Sequence, residues 1–208
     1  MEIFTNENII FYLIAYFVGG IPFGLILAKL FGGVDIKNSG SKSIGATNVF
    51  RVIKEKDPTL AKKLAVATLV LDALKGVLVL VVATILGASE ETKWAIAVLA
   101  VVGHCFSPYL WFEGGKGVAT GFGVLLYMIP YATIVSFIVW AISAKTIKIS
   151  SLSSLLALFT LVGASFIIYP QIDVIKTHAP IILIAFFILY KHSENIKKLI
   201  LFQEKRVV

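Results

Sequence analysis

The chain has one cysteine, Cys105, among its 208 residues. That excludes an intrachain disulfide and any CxxC metal site. Charge is also scarce: 15% of residues are Asp, Glu, Lys or Arg, against about 25% in an ordinary soluble domain. Acid is the scarcer sign, with 12 Asp+Glu against 19 Lys+Arg and a formal charge of +7. The first eight residues carry two acids and no base, so they lack the basic start of a cleaved signal peptide. They suit an outward-facing terminus. Internal repeats and low-complexity tracts are absent. Apolar residues are what the chain does have, at 58%, with a mean hydropathy of +0.92. So few charges do not cover the surface of a soluble domain of this size. The composition excludes soluble, disordered and disulfide-stapled secreted proteins and leaves a multi-pass membrane protein.

The apolar runs are 9–31, 64–86, 94–112, 118–142, 150–169 and 179–190. In the first, Gly20 and Gly24 are four apart, which predicts a small-residue face for close helix approach. A polar stretch, 32–58, separates the first two runs. Hydropathy alone counts six spans, but Lys and Arg collect in cytoplasmic loops and argue for seven. With the N-terminus outside, the 32–58 loop and the 114–117 turn lie inside. A single span over 118–142 would then put Lys145, Lys148 and the basic C-terminus outside. A break at Pro130, which interrupts a helix, gives two short helices near 117–128 and 131–144 and restores the balance. All of the 19 Lys/Arg except Lys75, Lys93 and Lys176 then sit at the cytoplasmic side. The expectation is an all-α polytopic bundle of about seven transmembrane helices, some short. It forms one integral membrane domain, 1–208, with the C-terminus cytoplasmic.

Three polar, glycine-rich clusters interrupt the apolar chain, and this topology puts all three on one side. The first runs from Asn38 to Asn48 and is followed by Arg51. Its small residues let backbone N–H groups converge on an anion, and a helix starting near Thr47 or Asn48 points its positive end the same way. Arg51 adds a planar charge suited to phosphate. The second runs from Gly103-His104 to Gly114-Gly-Lys-Gly-Val-Ala-Thr120. It is not a Walker A motif, because Gly117 stands where Ser or Thr would hold Mg²⁺ and no strand precedes it. Gly114, Gly115, Lys116 and Gly117 before a helix still read as an anion cradle, against a bland reading of Lys116 as a snorkelling lysine. His104, within an apolar run, reads as a hydrogen-bonded packing residue before a catalyst. The third cluster, 190–199, places His192 and Asn195 on one helix face, with His192 able to act as base or phosphate ligand. Asp72 and Lys75 inside the second run read as a buried ion pair. Ser151 reads as a helix cap with a substrate contact.

Together these clusters resemble the bacterial acyl-phosphate:glycerol-3-phosphate acyltransferases. The matching residues are Gly40-Ser41 with Gly45-Ala-Thr-Asn48 and Arg51, Gly103-His104 through 114–120, and His192 with Glu194-Asn-Ile196. Asp72-x-x-Lys75-Gly76 also fits. The chain departs from the family at Lys42-Ser43, where Gly-Asn is usual, and at Glu113, where a base is commoner. Lys tolerates positive φ poorly where Gly does so freely. An extra acid is unfavourable near a phosphate site.

The resemblance implies seven transmembrane helices and a site facing the cytoplasm of a bacterial inner membrane. It implies transfer of a fatty acyl group from acyl phosphate to the 1-hydroxyl of glycerol 3-phosphate, giving lysophosphatidic acid and phosphate. This is the first acylation of phospholipid synthesis. His192, Lys116 and Arg51 are the expected catalytic residues. Ser41, Gly45, Thr47, Asn48, Arg51, His104, Gly114, Gly115, Lys116, Gly117, Ser151, His192 and Asn195 are the expected substrate ligands. Either His192 or the acyl phosphate itself takes the proton. No metal, cofactor or nucleic-acid partner is expected; the partners are the two substrates and membrane lipid. A transporter of a small anion or lipid phosphate is the alternative, to which the one-sidedness of the clusters is less suited.

Overall fold

The computed structural model describes residues 7–204 and Arg206. The expectation for the first eight residues therefore falls almost wholly outside the described part, as does Lys205. Among the described residues the chain forms α-helices and no strand. They are α1 (Glu7–Gly20), α2 (Phe23–Gly32), α3 (Ala46–Ile53), α4 (Pro58–Ile85), α5 (Glu90–Cys105), α6 (Val118–Met128), α7 (Pro130–Ile147), α8 (Ser150–Ile168), α9 (Ala179–Lys191) and α10 (Ser193–Ile200).

Local chemistry sets the boundaries. α4 begins where the Asp57 carboxylate accepts from the N–H groups of Thr59 and Leu60, both at 2.9 Å, with Pro58 in the first turn. Its 28 residues span about 42 Å. α5 begins at Ser89, whose hydroxyl caps Thr92 and is followed by Glu90 and Glu91; those acids oppose the positive helix end. The apolar stretch at 118–142 is indeed divided. α6 stops at Met128 and α7 starts at Pro130. α7 is 18 residues long, enough to cross a bilayer, whereas α6 at 11 residues spans about 16 Å of a roughly 30 Å core.

Counting α1 and α2 as one run, five helical segments among the described residues are long and apolar enough to cross a membrane. α6 and α9 are shorter apolar helices. α4 runs through the middle, packed on α1, α2, α3, α5 and α6, while α7 pairs with α8. Leu13, Phe17, Leu78, Phe159 and Ile167 are exposed on the outer surface, a pattern that suits lipid rather than water.

The first apolar run corrects one expectation. The helix breaks at Ile21-Pro22, so Gly20 and Gly24 lie on different helices and share no face. Gly24 abuts the Ile44 backbone instead. Close approach is achieved by Gly19 and Gly103. A Cβ on Gly19 would strike the Ala100 backbone, and one on Gly103 would strike the Tyr16 carbonyl, so α1 and α5 touch along their backbones. The break also frees the last carbonyls of α1. Ser107 Oγ donates to Gly20 O at 2.7 Å and Lys75 Nζ to Ile21 O at 3.0 Å.

Candidate active site

Three helices start at one place. The first-turn residues Ala46 and Thr47 of α3, Val118 and Ala119 of α6, and Ser150 and Ser151 of α8 all line a single cavity of about 490 Å³. First-turn N–H groups have no acceptor within their own helix, and each helix start carries a partial positive charge. The cavity is anion-seeking before any side chain is counted. Arg51, Lys116 and Lys198 add cations to its wall; Asp72 and Glu204 are the acids there. Thr47 and Ser150 hold the starts of α3 and α8 together through hydroxyls 3.1 Å apart.

α10 contributes one face. His192, Asn195 and Lys198 recur every third residue and all reach the cavity. Lys116 Nζ donates to Asn195 Oδ1 at 2.5 Å. Asn195 Nδ2 in turn donates to Glu204 Oε1 at 2.7 Å, and Ser151 Oγ donates to the same oxygen at 2.7 Å. Burial lowers the Lys116 ammonium to about 8; Glu204 opposes the shift, while Lys198 and Arg51 add to it. Burial also lowers His192, to about 4, with the neighbouring Lys116 contributing. His192 is 1% exposed, and its Nδ1 lies 2.7 Å from the Ile188 carbonyl. Nδ1–H therefore donates there, and Nε2 keeps its lone pair.

Of the residues expected to bind substrate, Ser41, Gly45, Thr47, Asn48, Arg51, His104, Lys116, Gly117, Ser151, His192 and Asn195 line the cavity. Several do so differently than expected. The Gly114 and Gly115 N–H groups do not face an anion; they donate to Cys105 O at 3.2 Å and His104 O at 2.9 Å, stapling the turn to the end of α5. Asn48 is a loop clamp. Its Oδ1 accepts from Ser41 N at 2.8 Å, and its Nδ2 reaches the carbonyls of Ile36, Ser39 and Ser43. Ser151 does not cap α8: Ile149 holds that position, with no side-chain cap, and the Ser151 hydroxyl turns to Glu204 instead.

The two departures have local explanations. Lys42 takes a left-handed backbone with φ +59°, the strained position anticipated for it. Glu113 pairs with Lys37 at 3.2 Å and is not part of the cavity wall. Glu204 and Lys198 are cavity residues that the sequence does not single out, because that tail offers only a general basic character. Asp72 and Lys75 pair at 2.9 Å, each about 2% exposed, and Asp72 reaches the cavity wall beside His104.

A family model for glycerol-3-phosphate acyltransferase matches residues 9–201. A glycerol-3-phosphate acyltransferase from a Nitratiruptor species is 61% identical, covering 100% of this chain and 99% of that protein. One from Sulfurimonas denitrificans is 60% identical, with both chains covered completely. The crystal structure of PlsY (YgiH), an integral membrane glycerol 3-phosphate acyltransferase, in its glycerol 3-phosphate form superposes with a TM-score of 0.82. It is 32% identical and covers 97% of this chain and 96% of that one. Its lysophosphatidic acid form gives 0.80. With the match extending over nearly the whole length and the polar clusters gathered around one cavity, the chain belongs to the membrane-integral glycerol-3-phosphate acyltransferase family.

Proposed function

We propose that the protein transfers a fatty acyl group from acyl phosphate to the 1-hydroxyl of glycerol 3-phosphate. The product is lysophosphatidic acid and the leaving group is phosphate. The observation that carries this reading is the cavity itself: three helix starts and the cations Arg51, Lys116 and Lys198 meet at one end of an apolar bundle. Two phosphate-bearing substrates need such a place, and one of them also brings a long tail. Leu69 and Trp140 line the cavity too, and Leu69 is exposed on the outer face of α4. They give the tail an apolar exit toward lipid.

Acyl phosphate is an activated mixed anhydride, so direct attack suffices and positioning supplies much of the acceleration. The 1-hydroxyl oxygen bonds to the acyl carbon, the bond from that carbon to the phosphate oxygen breaks, and the hydroxyl proton goes to the departing phosphate. His192 is too weak a base, at about 4, to hold that proton near neutrality. Its free Nε2 instead accepts the hydroxyl's hydrogen bond and aims it. Lys116, Arg51, Asn195, Ser41 and Ser151 hold phosphate oxygens, and the helix starts stabilise the developing charge.

The chain functions as a single domain with seven crossings, α6 and α9 being the short ones. The N-terminus is outside and the cavity faces the cytoplasm of a bacterial inner membrane. Single cysteines at 42 and 193 test the sidedness against buried Cys105; labelling of the two from opposite faces overturns it.

The deciding experiment supplies purified protein in lipid bilayers with palmitoyl phosphate and labelled glycerol 3-phosphate. Lysophosphatidate formed from palmitoyl phosphate but not from palmitoyl-CoA, and lost in a folded K116A, is the expected result. Product from palmitoyl-CoA instead, or labelled substrate moved across the bilayer without acylation, overturns it.

A further inference from the structure

Two histidines line the cavity, and the groups behind them put their protons on different nitrogens. Lys75 has three N–H bonds and three acceptors: Asp72 Oδ1 at 2.9 Å, Ile21 O at 3.0 Å and His104 Nδ1 at 2.8 Å. An ammonium only donates, so Nδ1 of His104 accepts and the imidazole is neutral with its proton on Nε2. Nε2 makes no hydrogen bond to the described residues. No fully buried polar side-chain atom among them lacks a partner. Nε2–H therefore keeps some exposure, and the open space beside His104 is this cavity. Gly115 packs against Nε2 itself and fixes its place. A Cβ on Gly115 would strike Nε2, and Gly115 N–H is bonded to the His104 carbonyl. His192 has the reverse arrangement, with Nδ1 facing the Ile188 carbonyl and Nε2 free to accept.

We propose that Asp72 and Lys75 are positioning residues that lock His104 as a hydrogen-bond donor, and that its Nε2–H binds the oxygen on which charge develops during acyl transfer. This rests on the acyl phosphate reading above. The Asp72–Lys75 pair carries no net charge, so it adds a short-range dipole and not a full charge at the phosphate positions. Yet the Lys75 ammonium draws on Nδ1 and strengthens the donor at Nε2. A carbonyl oxygen gains negative charge only on the way to the tetrahedral state, so a fixed donor there accelerates the step more than it tightens binding. His104 thereby has no lone pair on the cavity side and does not serve as a base.

The test is ring ¹⁵N NMR of histidine-labelled protein in bilayers. The three histidines, His104, His178 and His192, are assigned by single replacement. In the unaltered protein His104 shows a protonated Nε2 and bare Nδ1, and His192 the opposite. The double variant D72N/K75M, which leaves no unpaired buried charge, releases His104 to a mixture of tautomers. Its kcat falls roughly 100-fold while KM for glycerol 3-phosphate moves less than about twofold. H104Q, whose amide reaches the Nε2 position, retains more activity than H104N, whose amide does not. A protonated Nδ1 or an imidazolium at His104 in the active protein overturns the inference and leaves the acyl transfer reading standing. So does an unchanged kcat in a folded D72N/K75M. If the unaltered protein makes no lysophosphatidate, it is the acyl transfer reading that fails, whichever tautomer is found.

Discussion

Lys116 gives the sharpest test of how this cavity holds its substrate. Burial brings its ammonium down to about 8, inside the working range of an assay, whereas an ordinary lysine titrates near 10.4. The sign follows from the charge. The cationic form binds phosphate, and it is lost as pH rises through that value. From the titration curve about 90% of Lys116 is charged at pH 7 and about 10% at pH 9. If only the charged form is competent, kcat/KM for glycerol 3-phosphate falls about tenfold over that interval; an unshifted lysine would lose only a few per cent. Other groups do not confuse the reading. The second ionisation of a phosphate ester is near 6 and about 90% complete by pH 7, and His192 titrates at about 4. Replacing Lys116 with Arg supplies a charge that persists to pH 12, so K116R, though less active for want of lysine's compact shape, loses the inflection. The assay is initial-rate acyl transfer from pH 6 to 10 at fixed ionic strength. A flat profile up to pH 9.5 in the unaltered protein, or the same inflection in K116R, refutes the argument.

Other expectations follow from single contacts. Lys42 sits at φ +59°, which costs an ordinary residue about 1–2 kcal/mol and a β-branched one more. K42G therefore keeps or slightly raises the melting temperature, while K42V lowers it. Gly103 lies against the Tyr16 carbonyl. G103V forces α1 from α5 and destabilises by about 2–3 kcal/mol, read as a lower unfolding temperature in detergent. The Glu204 carboxylate holds Ser151 and Asn195 within the anion cavity. E204Q removes that competing charge and lowers KM for glycerol 3-phosphate about fivefold, with a rise or no change counting against it. A chelator titration leaves the rate unchanged.

The broad plan of the molecule was legible because apolar runs and charge placement are local statistics. The Pro130 break is readable because the proline and the lysines beyond it point to the same residue, although the short helices it leaves argue the other way. The break at Pro22 was not, although that proline stood in plain view. Breaking a helix there opens the carbonyls of Gly20 and Ile21, and besides the local Phe23 N–H it is Ser107 and Lys75, distant in sequence, that take them up. The grouping of Arg51, Lys116 and His192 around one cavity followed from their shared sidedness. The use of individual polar atoms did not follow. Gly114 and Gly115 have the composition of a phosphate cradle, but α5 ends where its open carbonyls take their N–H groups. Asn48 sits in a loop rich in other donors, and nothing local marks it as the residue that closes the loop. Glu204 was hidden in a basic tail, since its partners Ser151 and Asn195 come from two other helices.

The interruption at Ile21-Pro22 makes the buried lysine an assembly sensor. The three groups that receive its protons come from the α1–α2 junction, from α4 and from α5, so no pair of these segments can satisfy it. A bundle with α1 not yet docked leaves the ammonium one partner short within a low-dielectric environment, where such a deficit is costly. With His104 acting as proposed, correct docking of the first helix and competence for chemistry become one event. A partly assembled bundle would be idle rather than misdirected, a safeguard for an enzyme whose donor substrate is reactive enough to be hydrolysed.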